Sequence, residues 1–366
     1  MPLVELSGDA FEQGRQHGLA LREQIAHNVE VYYDRFLREG QLQADDVRER
    51  AARYLPLLKS FPDYFESMRG VAEASGQPLI DVAMLNARYE LLYYQYSVIP
   101  VGAPDGCTSF AVLPDTTADN HLLIGENWDW IPEVQSALLH WRSDGLETLS
   151  FTEAGIVGGK IGLNSAGLGL AINGLLTTSD DWSRLVKPFH VRCYEMLRSS
   201  TLQGAASIVT GLRRACSTNF VLAQVPDRAI DIEAAPDTCT TFGPRQGVLT
   251  HSNHFLDPTH LGVEEPKADR RPHSHTRLAR LQALLEASRP LSVADMQARL
   301  RDHDNFPDSV CRHIHPDDPP EEACVTVVSA VMDLTARTLF LTDGPPCERE
   351  YERYTLHAPG VRPTAS

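Results

Sequence analysis

Pro104-Asp105-Gly106-Cys107-Thr108-Ser109-Phe110 is the stretch on which the reading of this chain turns. Upstream the text is helical; downstream it is strands and tight turns. A cysteine at such a junction has a bland explanation, a buried and inert thiol. Its neighbours argue for a chemical one. Gly106 has no side chain, so its carbonyl is open to the Cys107 thiol, and glycine tolerates the backbone angles of a strained amide. Attack there turns the amide into a thioester, and water then releases a new N-terminal cysteine. Such a residue holds nucleophile and base together, because an α-amine titrates near ~7.7–8.0 and can take the thiol proton. This reading makes Gly106–Cys107 a scissile bond. It divides one integrated fold into a helical leading segment, 1–106, and a catalytic segment, 107–366.

Working outward toward the N-terminus, Asp9 with Glu12 reads as a helix start. Ile25, Val29, Tyr32, Tyr33 and Phe36 then recur at helical spacing. Asp45 to Leu58 predicts a second helix stopped near Pro62, and Tyr64 to Ala74 a third, closed by Gly76. Pro78 and Asp81 open a fourth. Toward the C-terminus, Ser109–Leu113 and His121–Gly125 predict a hairpin that runs into Glu126-Asn127-Trp128-Asp129-Trp130. Gly159–Leu163 and Leu168–Ile172 flank the turn Asn164-Ser165-Ala166-Gly167. Helices over 189–197 and 202–212 and strands over 218–223, 229–233 and 247–250 follow, with the strand at 250 running into His251-Ser252-Asn253-His254. Asp257 to His273 predicts a charged loop, Ser274 to Ala287 an amphipathic helix, and Ser292 with Asp295 a capped helix. Asp302 to Pro320 reads as irregular, 325–332 and 337–341 as a last hairpin, and the tail after Gly344 as surface. Helices and strands in separate clusters indicate an α+β class rather than a βαβ series.

Composition narrows the function. A net charge of −16 argues against a nucleic-acid or anionic-membrane partner held by a general field. No long apolar run suggests a membrane span, and Met1-Pro2-Leu3-Val4-Glu5 has no secretory character. The seven cysteines form no Cys-x-x-Cys pair, so neither a disulfide framework nor a zinc pattern is expected, and a reduced cytoplasmic setting fits. His251/His254, His273/His275 and His313/His315 come in close pairs, but without His-Glu-x-x-His they read as exposed loop histidines, and no metal is expected.

Four segments, in order, carry a resemblance: Asp105-Gly106-Cys107-Thr108-Ser109-Phe110, Gly125-Glu126-Asn127-Trp128-Asp129, Gly162-Leu163-Asn164-Ser165-Ala166-Gly167-Leu168 and Ser252-Asn253-His254-Phe255. Together they resemble the isopenicillin N acyltransferase (acyl-CoA:6-aminopenicillanate acyltransferase) family, a C45-type branch of the N-terminal nucleophile (Ntn) hydrolases. Asp9 to Gly18 and Cys311-Arg312-His313 add to the likeness. The resemblance implies a four-layer αββα sandwich. It implies a precursor that cuts itself before Cys107 into two chains that stay associated, and amidase or acyltransferase chemistry through an acyl-cysteine, without a cofactor. A small amide or acyl-CoA is the implied substrate.

By the same resemblance Asp129 sits beside the cysteine, to orient it and assist self-cleavage, and the Asn253 amide donates to the oxyanion. Asn173 resembles an asparagine that related choloylglycine-type hydrolases use for that oxyanion. Trp128 and Trp130 are candidates to line the substrate pocket with the 257–273 loop. The family's substrate-site arginine has no match in Glu321-Glu322-Ala323-Cys324-Val325-Thr326, which leaves Arg312 as the candidate substitute and weakens the case for a carboxylated β-lactam. Two other readings are a plain hydrolase of N-acyl or β-alanyl-type amides and a non-catalytic binding protein of the same fold.

Overall fold

The computed structural model describes residues 1–99, 106–143, 145–266, 272–316 and 323–357; Pro104 and Asp105 of the junction lie outside them. A strand that the sequence pattern did not reveal, β1 (Leu3–Leu6), comes first. Asp9 then caps α1 (Ala10–Ala20), its carboxylate accepting the Glu12 N–H at 2.9 Å. The helices α2 (Arg22–Arg38), α3 (Ala44–Leu58), α4 (Pro62–Ser75) and α5 (Leu79–Val98) follow. Pro62, expected to stop α3, instead opens α4, where a missing N–H costs nothing. Gly76 closes α4 at a φ of 77°. Helices α1 and α4 touch backbone to backbone: a Cβ on Gly14 would lie 1.9 Å from the Ser67 carbonyl oxygen.

Helix α5 is buried on nearly every face, which carries charged side chains into the interior. Glu90 is one. Its Oε1 accepts the Phe189 N–H at 2.5 Å, while Oε2 has no partner. Burial lifts its pKa from 4.5 to about 7. A raised acid pKa stabilises the fold fully below pH 4.5, and that stability is lost as pH rises through about 7. Glu90→Gln should therefore melt with a shallower pH dependence, gaining on the order of 3 kcal/mol on the parent by about pH 8. Thermal melts from about pH 5 to 8 check this; parallel slopes would refute it.

After the junction come β2 (Gly106–Val112), β3 (Leu123–Trp130), β4 (Ser136–Ser143), β5 (Leu146–Glu153), β6 (Ile161–Asn164) and β7 (Leu168–Gly174). Helices α6 (Phe189–Leu197) and α7 (Leu202–Thr210) lead to β8 (Thr218–Gln224), β9 (Arg228–Ala234), β10 (Cys239–Phe242) and β11 (Val248–His251). A short α8 (Pro258–Leu261) lies in the expected loop, of which 267–271 is outside the described residues. Then follow α9 (Pro272–Glu286), α10 (Val293–Leu300), β12 (Val325–Asp333), β13 (Thr338–Leu341) and β14 (Glu352–Thr355). The Ser292–Asp295 capping box is present on α10. No regular element is assigned in the described part of 302–320. The tail after Gly344 is not merely surface, because β14 pairs with β13.

The strands form an eight-stranded sheet, β1-β4-β5-β6-β7-β8-β9-β10, and a six-stranded sheet, β11-β2-β3-β12-β13-β14. Strands β2 and β3 pack on β7 of the other sheet. Helices α6 and α7 cover the outer face of the eight-stranded sheet, and α9 and α10 that of the six-stranded one. The result is the expected αββα order of layers. Strand β2 divides its side chains by the pleat: Phe110 and Val112 join the core against α9 and α10, whereas Cys107 and Ala111 join the core between the sheets. The leading segment is part of this frame, since β1 pairs in parallel with β4. No helix among the described residues is long and apolar enough to cross a membrane.

Candidate active site

The pleat places Cys107 and Ser109 toward the eight-stranded sheet, and Gly106 and Thr108 toward α9. Strand β11 runs antiparallel to β2 with His251 opposite Ser109, so two further residues bring Asn253 level with Cys107. The Cys107 N–H donates to Asn253 Oδ1 at 2.7 Å, and Asn253 Nδ2 donates to the Gly174 carbonyl at 3.2 Å. Ser252 Oγ donates to the Cys107 carbonyl at 3.1 Å. The Asn253 side-chain oxygen thus faces the Cys107 nitrogen, and its amide nitrogen faces the end of β7.

Arg277 of α9 is the residue that the sequence pattern concealed. Its guanidinium donates to the Cys107 carbonyl at 2.6 Å, to Thr108 Oγ1 at 2.8 Å and to Asn253 Oδ1 at 2.9 Å, and lies 4.0 Å from Asp129. It is almost wholly buried, and burial together with the nearby Arg312 charge lowers its pKa against the pull of Asp129. One signal was available: Arg277 shares the helix face of Ser274 and Leu281, where an amphipathic helix normally keeps an apolar side chain.

Asp129 pairs with Gly106 across β2 and β3, so its carboxylate lies on the α9 side of the sheet, opposite the thiol. Its Oδ1 accepts the Thr326 hydroxyl at 2.7 Å. Arg312 reaches the same place. A Cβ on Gly106 would stand 2.7 Å from Arg312 Nη1, 2.9 Å from Asp129 Oδ2 and 3.4 Å from Arg277 Nη2. Arg312, which also pairs with Asp308 at 3.2 Å, thus stands beside the junction, while residues 321 and 322 of the segment 321–326 lie outside the described residues.

On the thiol side Trp128 stands directly opposite Cys107 in the β2–β3 register. The Lys160 ammonium sits 3.4 Å from the centre of the Trp128 ring, an attractive cation–π contact, and interacts electrostatically with the Cys107 thiol. Lys160 also pairs with Glu153, which binds Arg88 and Tyr32 as well. Burial, aided by the Arg88 charge and opposed by Glu153, brings the Lys160 pKa down to about 8. Trp130 is locked in the core, its indole N–H donating to Tyr32 Oη at 2.9 Å. Asn173 stands one pleat behind the thiol. Its Oδ1 accepts from Ser109 Oγ at 2.6 Å and Asn219 Nδ2 at 3.2 Å, and its own Nδ2 is buried with no partner.

Two of the histidines expected in exposed loops are buried. His251 lies between the sheets against Glu233 Oε1 at 2.9 Å, and Asp231 and Glu233 raise its pKa despite burial; His254 packs on Ser274 Oγ at 2.7 Å. The strand alternation of β11 and the turn after it direct them inward.

The four-layer αββα frame is the Ntn-hydrolase fold; here a cysteine heads one of its central strands, and its N–H donates to an asparagine two residues past the end of the neighbouring strand. The chain belongs to the acyl-coenzyme A:6-aminopenicillanic acid acyl-transferase family, whose model matches residues 116–345. The match takes in Asp129, Asn173 and Asn253 and begins after Cys107. The chain is 28% identical over 318 residues to the 40 kDa form of the acyl-coenzyme A:6-aminopenicillanic-acid-acyltransferase of Emericella nidulans, covering 84% of each. Among solved structures it is similar to a penicillin V acylase from Agrobacterium tumefaciens (15% identity, TM-score 0.46, 65% of this chain and 83% of that one). It is also similar to the Caenorhabditis elegans ortholog of N-acylethanolamine-hydrolyzing acid amidase (13% identity, TM-score 0.45, 62% and 93%). Membership of this family makes the protein an enzyme of the amide-hydrolase and acyltransferase group.

Proposed function

We propose that the chain cleaves its own Gly106–Cys107 bond and then hydrolyses or transfers acyl groups through an acyl-Cys107 intermediate. The observation that carries this is the 2.7 Å bond from the Cys107 nitrogen to Asn253 Oδ1, which holds the atom that becomes the α-amine. In self-cleavage the Cys107 sulfur bonds to the Gly106 carbonyl carbon as the C–N bond breaks, and the thiol proton passes to the departing nitrogen. Water then adds to the thioester, a proton returns to sulfur, and Gly106 is left as a carboxylate. That anion forms beside Arg277 and Arg312, whose guanidiniums favour it. Segments 1–106 and 107–366 remain associated, because β1 is paired with β4 and α5 is buried in the shared core.

In turnover the freed thiol attacks the carbonyl of a small amide or acyl-thioester, and the α-amine takes the proton, oriented by Asn253 Oδ1. Of the two Asn253 Nδ2 hydrogens one serves the Gly174 carbonyl, and the other is a donor for the oxyanion, with the unpartnered Asn173 Nδ2 as a second. Lys160 presents a positive charge toward the reacting sulfur, and Trp128 walls the acyl site. Asp129 faces Gly106 rather than the thiol, which suits a role in orienting the junction and in self-cleavage. Arg312 also pairs with Asp308 at 3.2 Å, so an anionic substrate group there would compete with Asp308 and with the new Gly106 carboxylate.

Intact-mass measurement of the purified protein tests the reading: two fragments are expected, the second beginning at Cys107. Incubation with a panel of N-acyl amides and acyl-CoA donors should then add an acyl mass to the 107–366 fragment alone. A single uncut polypeptide after prolonged incubation would overturn the proposal. Gly106→Ala pushes Arg312 and Asp129 off the junction, so self-cleavage should slow by on the order of 10- to 100-fold with the circular-dichroism spectrum unchanged. A time course at wild-type rate would remove these two side chains from the cleavage step.

A further inference from the structure

Away from Gly106, four metal-binding side chains converge: His303, Cys311, His313 and Cys347 present donor atoms that all lie within 4.8 Å of one another. Cys311 Sγ is 3.6 Å from Cys347 Sγ and 3.6 Å from His313 Nε2. Cys347 Sγ is 3.2 Å from His313 Nε2, which is 3.2 Å from His303 Nε2. A tetrahedral zinc with Zn–S of ~2.3 Å and Zn–N of ~2.0–2.1 Å needs S···S near 3.8, S···N near 3.6 and N···N near 3.3 Å. The four separations differ from these by a few tenths of an ångström. We propose that these residues form a Cys2His2 structural zinc site.

The surroundings are built for it. The Cys311 N–H donates to the Asp302 carbonyl and the His313 N–H to the Pro307 carbonyl, both at 3.0 Å, which folds the 302–313 loop back on itself. His313 turns its other nitrogen, Nδ1, to Glu348 Oε1 at 3.6 Å, the placement of a carboxylate behind a metal-bound imidazole. Phe306 packs against the rings of both His303 and His313, at 5.7 and 5.2 Å between centroids. Cys347 comes from the exposed segment between β13 and β14, where no regular element holds the backbone in place. An ion there would tie that segment to the 302–313 loop.

The site also bears on Gly106. Arg312 stands between two of the ligands, its N–H donates to Thr326 Oγ1 at 2.9 Å, and that hydroxyl in turn donates to Asp129. Zinc would hold the backbone from which the Arg312 guanidinium reaches the junction. On binding, both thiols lose their protons to solvent and the imidazoles bind as neutral rings, so affinity falls in acid. Cys347 lies 34 residues beyond His313, far outside the usual ligand spacings, so the cluster is not visible along the sequence.

The test uses the full chain, purified under reducing, chelator-free conditions and analysed for metal by mass spectrometry. About one zinc per chain is expected, falling below about 0.1 in Cys347→Ser and in His303→Ala. Both positions are exposed, so both variants should keep the parent circular-dichroism spectrum. Cobalt(II) added to apo-protein should give tetrahedral d–d bands with thiolate charge-transfer bands, the latter about halved in Cys347→Ser. A strong chelator should lower the melting temperature of the parent and leave that of Cys347→Ser unchanged. Reduced apo-protein that takes up neither zinc nor cobalt would overturn the proposal. So would a Cys311–Cys347 disulfide in metal-free protein isolated without oxidant. These readouts are independent of self-cleavage.

Discussion

Cys107→Ala is expected to remain a single uncut chain and to lose acyl hydrolysis and transfer by at least about 10⁴-fold, because one atom serves both reactions. The sulfur is the electrophile's only proposed partner in each. Cys107 is buried between the sheets, and alanine fits its space with little loss of packing, so the melting temperature should change far less than the activity. Cys107→Ser separates the two steps. An oxygen in the same place is a poorer nucleophile at neutral pH, so slow cleavage with weaker turnover is the expected result. Gel and mass analysis over days, with a colorimetric amide assay, reads both. An alanine variant that is still cut at 106–107 would rule out the thiol as the agent of cleavage.

Arg277→Met should have the next largest effect, and on stability as well as chemistry. The side chain is 1% exposed and donates to Cys107, Thr108 and Asn253. Methionine leaves those acceptors without the cation and Asp129 with one guanidinium fewer, and breaking a buried charge pair costs roughly 3–5 kcal/mol. Denaturant unfolding should show that loss, and self-cleavage should fall below detection. Arg277→Lys distinguishes charge from shape. A point charge cannot serve three acceptors arranged for a planar fork, so stability should partly recover while cleavage stays about 10²-fold slow. Wild-type stability and cleavage in the methionine variant would show that the guanidinium is incidental.

Much of this was legible along the chain. The Asp9 cap, the α6 boundaries, the turn between β6 and β7 and the capping box of α10 are local signals, and the structure carries all of them. Strands β1, β4 and β14 were not. Leu3–Leu6 is too short to show a period, Ser136–Ser143 mixes apolar and polar residues without clean alternation, and Glu352–Thr355 is a charged edge. Each becomes a strand only because a partner lies beside it. The burial of His251 and His254 was hidden for the same reason, since spacing says nothing of which face a strand turns to the core.

By itself the sequence determined the junction, a cysteine behind a glycine, and the α+β class; the αββα order, and Asp129 and Asn253 as its companions, were what the family resemblance implied. Only the tertiary structure decided what stands on which side of it. The pleat puts the thiol with Trp128 and Lys160, and Asp129 with Gly106, Arg312 and Arg277 on the opposite face. Arg277 meets Cys107 across 170 residues, and Cys347 meets Cys311 across 36. Periodicity records how a segment lies against its own core. It does not record which distant segment supplies the other wall, because that choice is made by sheet register and layer packing over the whole chain.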